Sequence, residues 1–280
     1  MESTYATTLS RSSVTPLGAT FRACREQDRA ALVLYVTAGH PTPGEGLQVL
    51  LTLSDAGADV IELGVPFSDP LADGPTIQRS SFQAISQGVD LRWTLDLLSR
   101  FRKLRDTPIV LFSYLNPIYS HGVERFVEDA EAAGANGILL TDLPSGAAPE
   151  IEHVFAGSSL ELIRLIAPTS TPDRIGQIAA SARGFLYYVS RTGVTGAGQE
   201  LAEGLEREVA VIRETTDLPV AVGFGISSPE QAREVARFAD GVIVGSALVD
   251  LLAARGTAEA GEYVRSLRAA MERGALPHSS

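Results

Sequence analysis

The chain has 280 residues, 45% of them apolar, with a formal charge of −11 and a pI near 4.9. That is enough for one large domain with a substantial core. The acidic balance argues against binding nucleic acid or an anionic membrane, so an anionic ligand would need a local site of backbone N–H groups.

Residues 1–20 are rich in Ser and Thr and lack the apolar stretch of a secretory signal. They read as a disordered tail on a cytoplasmic protein. Cys24 is the only cysteine, so no intrachain disulfide framework exists; it is expected half-exposed on a helix. No apolar run approaches the ~18 residues of a membrane span.

Past the tail, apolar strand-like runs alternate with helical spacing. Ala31 to Thr37 is the first run, and a helix over Glu45 to Ala56 follows it. The second strand, Asp59 to Leu63, leads into a loop dense in Gly, Pro and Asp, then helices over Thr76–Ser86 and Leu91–Leu104. Ile109 to Tyr114 is the third strand, followed by a helix over Val123–Ala133. Gly137 to Thr141 is the fourth, with a short helix over Ala147–Phe155. The fifth, Glu161 to Ile166, precedes a helix over Pro172–Ala182. The sixth, Phe185 to Val189, opens a Gly/Thr-rich loop to about Gln199 and a helix over Leu205–Thr215. Val220–Phe224 and Gly241–Val244 are the last strands, each with its helix, and Thr257 to Glu272 is a closing helix.

Eight units with short, non-alternating strands predict a parallel sheet buried on both faces. The expected fold is α/β: a (β/α)8 TIM barrel in a single domain over residues 21–273, with extra helices at the N-terminus and in the loops, and a tail over 274–280. The rival is an open doubly wound sheet, which would want G-x-G-x-x-G after an early strand; the chain has none.

In a barrel the chemistry lies at the C-terminal ends of the strands. Glu62 is a carboxylate inside an apolar run there, and Asp73 follows eleven residues later on the loop. A buried Glu without a use is rare. One fixed and one loop-borne carboxylate suit acid/base work that closes over a substrate. Gly223 and Gly225 after the seventh strand, and Gly245-Ser246 where a helix begins after the eighth, suit a phosphate; Thr195 and Gly196 could add donors. Tyr35, Phe112, Leu139, Tyr187 and Phe224 would line an apolar pocket. His40, His121, His153 and His278 have no ligand spacing and read as surface or loop residues, so no metal is expected. G-x-S-x-G is absent, and no Lys stands at a strand end for a Schiff base. The residues therefore point to acid/base cleavage or isomerisation of a phosphate ester with an apolar part.

The run Ile61 to Gln78 (I-E-L-G-V-P-F-S-D-P-L-A-D-G-P-T-I-Q) resembles the signature of the tryptophan synthase α subunit family. Tyr35-Val36-Thr37-Ala38-Gly39, Asn116-Pro117-Ile118-Tyr119, Asp142-Leu143-Pro144, Ser190 to Gly196 and Gly223 to Ser227 are similar to it as well, so the likeness spans about Phe21 to Arg273. The resemblance implies a lyase that cleaves indole-3-glycerol phosphate to indole and glyceraldehyde 3-phosphate by a retro-aldol step. It implies Glu62 as general acid/base, Asp73 as stabiliser of the indole N–H side, and Tyr187 beside the catalytic Glu. It further implies Gly196, Gly223, Gly225, Gly245 and Ser246 around the phosphate, Tyr35, Phe112 and Leu139 around the indole, and Thr195 meeting Asp73 on loop closure. An α2β2 heterotetramer is implied, with Pro66, Asp69, Asn116 and Pro144 facing β. No cofactor is implied in this chain; pyridoxal phosphate would sit on the β subunit. The family usually reads Gly-Asp-Pro where this chain has Gly39-His40-Pro41. A stand-alone lyase releasing free indole, or a silent activator of a β subunit, remains open at this point.

Overall fold

Strands that bury both faces need cover on both, and closure of the sheet supplies it. The computed structural model describes residues 15–190, 198–223 and 225–272, apart from the side chains of 198–203. Its eight strands are β1 (Ala31–Thr37), β2 (Val60–Gly64), β3 (Ile109–Ser113), β4 (Gly137–Leu140), β5 (Glu161–Ile166), β6 (Leu186–Val189), β7 (Val220–Gly223) and β8 (Gly241–Val244). Each pairs in parallel with the next, and β8 pairs with β1, closing the barrel. The described helices are α1 (Pro16–Glu26), α2 (Gly46–Asp55), α3 (Pro75–Ser86), α4 (Leu91–Arg102), α5 (Leu115–His121), α6 (Val123–Ala133), α7 (Pro149–Ala156), α8 (Pro172–Ser181), α9 (Gly198–Thr215), α10 (Pro229–Ala236), α11 (Ser246–Arg255) and α12 (Thr257–Ala270).

Alternation along each strand splits the core in two. Val33, Val60, Val110, Leu139, Ile163, Phe185, Ala221 and Ile243 pack inside the barrel. Leu34, Ile61, Leu111, Ile138, Leu162, Leu186, Val222 and Val244 pack outward under the helices. Local signals set where the helices begin. Pro stands in the first turn of α1, α3, α7, α8 and α10, where a missing N–H costs no bond. Asp90 accepts the Trp93 N–H at 2.8 Å ahead of α4, and Ser228 with Gln231 forms a capping box on α10.

The N-terminal end of the barrel is plugged by α1. Leu17, Phe21 and Cys24 join the interior cluster, and Phe21 stacks on Phe185 with ring centroids 5.0 Å apart. Glu161 fixes this plug: its carboxylate accepts the Thr15 hydroxyl at 2.6 Å and the Leu17 N–H at 2.8 Å.

Four expectations change. The helix starts at Pro16, so 16–20 are not tail; residues 1–14 and 273–280 lie outside the described residues. Cys24 is buried rather than half-exposed, and burial raises its thiol to about 12. An additional helix, α5, follows β3, and α9 begins at Gly198 rather than Leu205. Among the described residues, no helix is long and apolar enough to cross a membrane.

Candidate active site

Glu62 has the same parity on β2 as Val60, so it faces the barrel interior, in register with Tyr35 of β1 on one side and Val110 of β3 on the other. It is wholly buried, and neither carboxyl oxygen has a hydrogen-bond partner among the described residues. Burial alone raises its pKa from the ordinary 4.5 to about 8. A carboxyl of this kind is neutral at pH 7 and can donate a proton.

Around it stand the aromatic residues singled out in the sequence. Tyr35 packs edge-on against Phe112, ring centroids 5.1 Å apart. Tyr187 faces the interior with Phe185 and is half-buried; burial, then the nearby Glu62 and Asp73, push its hydroxyl pKa well up. Both tyrosines depend on glycines. A Cβ on Gly223 would stand 2.6 Å from the Tyr187 hydroxyl, and one on Gly64 would collide with that of Tyr35. Gly223 therefore makes room for Tyr187 as well as ending β7. Leu139 is fully buried inside the barrel. Leu165, in register with Tyr187, faces the same space, though in the sequence it is one apolar residue in an apolar run.

Asp73 lies on the loop between β2 and α3, half-buried. Its backbone N–H donates to the Pro70 carbonyl at 3.1 Å, and its own carbonyl accepts from the Gln78 amide at 2.9 Å. Desolvation raises its pKa from 3.8 to about 6, and the hydrogen bond from Tyr114 holds it back from rising further. The Tyr114 hydroxyl also accepts the Ala72 N–H at 2.9 Å. Tyr114 thus clasps the loop next to Asp73, a role that nothing local in its sequence signals. The two carboxyls are separated in acidity by environment, one neutral and the other largely ionised near pH 7.

Two strands round the mouth from β2, α11 begins at Ser246, directly after β8 and Gly245. Its first N–H groups and positive end suit an anion. Ser246 is exposed, and Gly225 has φ +71°, in the left-handed region. Gly196, Thr195 and Phe224 lie outside the described residues. His40 is not a surface residue: it is 3% exposed, and its Nε2 lies 3.0 Å from the Val249 carbonyl, tying the loop after β1 to α11. Of the residues expected to face a partner, Asp69, Asn116 and Pro144 are exposed, whereas Pro66 is buried and leaves that set. Leu71 and Tyr119 add exposed apolar surface on two of the same segments, at 91% and 68%. Among the described residues no group of His, Cys, Asp and Glu could hold a metal ion.

Residues 21–275 match the family model described as tryptophan synthase alpha chain. The chain is 48% identical to the tryptophan synthase alpha chain of Citrifermentans bemidjiense over 92% of its own length and 97% of that one. It is equally identical, at 48%, to that of Geobacter sulfurreducens over 91% and 97%. Among solved structures it resembles tryptophan synthase of Mycobacterium tuberculosis, with TM-score 0.86 and 37% identity over 94% of this chain and 100% of that one. It also resembles tryptophan synthase subunit alpha of Legionella pneumophila, with TM-score 0.85 and 36% identity over 93% and 99%.

Proposed function

The chain belongs to the tryptophan synthase alpha chain family, and we propose that the mouth of its barrel carries out the family's reaction through Glu62 and Asp73. It is a lyase that cleaves indole-3-glycerol phosphate to indole and glyceraldehyde 3-phosphate. The observation that carries the assignment of roles is Glu62: wholly buried in the middle of β2, without a hydrogen-bond partner among the described residues, and neutral near pH 7.

The protonated Glu62 gives its proton to C3 of the indole, and the ring becomes an indoleninium cation. Asp73, ionised, accepts a hydrogen bond from the ring N–H and stabilises that charge. The Glu62 carboxylate then takes the proton of the hydroxyl on the carbon attached to C3. That oxygen becomes the aldehyde carbonyl, the carbon–carbon bond breaks, and its electron pair returns to the ring as indole. The proton has moved from the hydroxyl to C3 by way of Glu62, which ends as it began. No other reactant enters the balance, so we assign no cofactor to this chain. Tyr35, Phe112, Leu139 and Tyr187 enclose the indole and exclude water. Gly223, Gly225, Gly245, Ser246 and, from the loop after β6, Gly196 hold the phosphate. Thr195 meets Asp73 when the loops close.

We further propose that the indole passes to a β subunit, in an α2β2 complex, that carries pyridoxal phosphate and completes tryptophan synthesis in the cytoplasm. The exposed Leu71 and Tyr119 support this reading, because apolar groups so exposed suit a partner, and Asp69, Asn116 and Pro144 are exposed beside them on the same face of expected contacts. The test is indole release by the isolated chain and by the chain with a β subunit. The heteromeric reading expects a rise on addition of β; full turnover in isolation, unchanged by β, would leave a stand-alone lyase.

A further inference from the structure

Arg164 lies on β5 with the parity of Leu162 and Ile166, which pack outward, and not of Ile163 and Leu165, which face the interior. It is nonetheless only 4% exposed. Its Nη2 is 2.8 Å from the Glu152 carboxylate on α7, and its Nη1 donates to the Leu143 carbonyl at 3.0 Å. Among the described residues neither its Nε nor its Nη2 has a hydrogen-bond partner, so Glu152 meets it as an ion pair by distance alone. A buried ion pair with donors left over is a poor source of stability, and a hydrocarbon of similar volume does as well. What the pair does supply is a fixed register. The other oxygen of Glu152 accepts the Gly146 N–H at 2.7 Å, so one ion pair holds both Leu143 and Gly146 of the loop after β4.

The same loop reaches the site. Asp142 Oδ1 accepts the Leu115 N–H at 2.7 Å, fixing the first residue of α5. Tyr114, the residue before it, accepts the Ala72 N–H and holds the Asp73 loop. We infer that Arg164 is a positioning residue for the reaction: from outside the barrel it sets the loop after β4 and, through Asp142 and the start of α5, the Tyr114 clasp on the Asp73 loop. The phosphate end of the site, after β7 and β8, stands across the closed strand order from β4 and is left undisturbed. This inference deepens the proposed function and rests on it for its kinetic part.

The test compares the full chain with R164M, R164K, D142A and the R164M/D142A double variant by amide hydrogen exchange and lyase kinetics. In R164M, exchange at Leu115 and Ala72 should accelerate about tenfold or more while Val244 in β8 is unchanged. The kcat for indole release should fall about tenfold, with KM within about twofold, because the reacting groups are misplaced and phosphate binding is not. The double variant should lose no more kcat than D142A alone, as expected of residues acting in series. R164K, which keeps a cation in reach of Glu152, should recover kcat to within about threefold of wild type. If R164M does not fold, E152Q, which removes the carboxylate that meets Arg164, carries the same comparison with R164K as the rescue. Wild-type exchange at Leu115 and Ala72 in a folded variant would overturn the inference, as would additive losses in the double variant. Exchange needs no turnover. A wild-type chain that released no indole would refute the functional reading alone and leave the exchange result to decide this one.

Discussion

The hydroxyl of Tyr187 on β6 lies 2.6 Å from where a Cβ on Gly223 of β7 would stand. A side chain cannot share that space, and Gly223 is in a strand with no positive φ, so its constraint is steric. Gly223→Ala should push Tyr187 toward the substrate. The expected result is a loss of kcat/KM of about tenfold or more with the fold retained, read by indole release and circular dichroism.

The reaction as drawn needs Glu62 protonated and Asp73 ionised. A plot of kcat/KM against pH should be bell-shaped, falling below about 6 as Asp73 takes up a proton and above about 8 as Glu62 loses one. A profile flat from pH 5 to pH 9 would contradict both assignments.

Tyr114 holds the Asp73 pKa down and accepts the Ala72 N–H. Tyr114→Phe removes both contacts. The acid limb of the same profile should move to higher pH, since the hydrogen bond favouring the ionised form is gone, and kcat should fall about three- to tenfold. The alkaline limb, which belongs to Glu62, should stay where it is.

Glu62 also predicts a stability difference. Its folded pKa of about 8 lies above the ordinary 4.5, so the folded state holds the proton more tightly. The stability tied to that proton is fully present below about 4.5 and is lost as pH rises to about 8. Glu62→Gln cannot ionise. Its denaturant midpoint should therefore exceed the wild type's clearly at pH 9, by on the order of a few kcal/mol in free energy, and by little at pH 5.

Most of the barrel was legible because its strands are continuous apolar runs between Gly, Pro and Asp. The bounds expected for β1 and β5 agree with the structure residue for residue. Glu62 was legible for the same reason, a lone carboxylate in such a run. The plug α1 was not. Leu17, Phe21 and Cys24 are spaced for a helix but follow a Ser/Thr-rich stretch, and what stabilises them is the barrel interior and Glu161, far along the chain. Tyr114 closes an apolar run and reads as core; its hydroxyl bond to Ala72 joins residues 42 apart. Pro66 sits within the recognisable loop signature, yet the fold buries it, because sequence motif and surface exposure are separate properties.

Everything in the proposed reaction turns on Glu62 as the group that moves the proton. The direct measurement is indole release from indole-3-glycerol phosphate by Glu62→Gln, with binding of glycerol 3-phosphate followed by calorimetry as the control for an intact phosphate site. Turnover should fall about 10²- to 10⁴-fold with glycerol 3-phosphate bound as in wild type. Turnover within about threefold of wild type would contradict it.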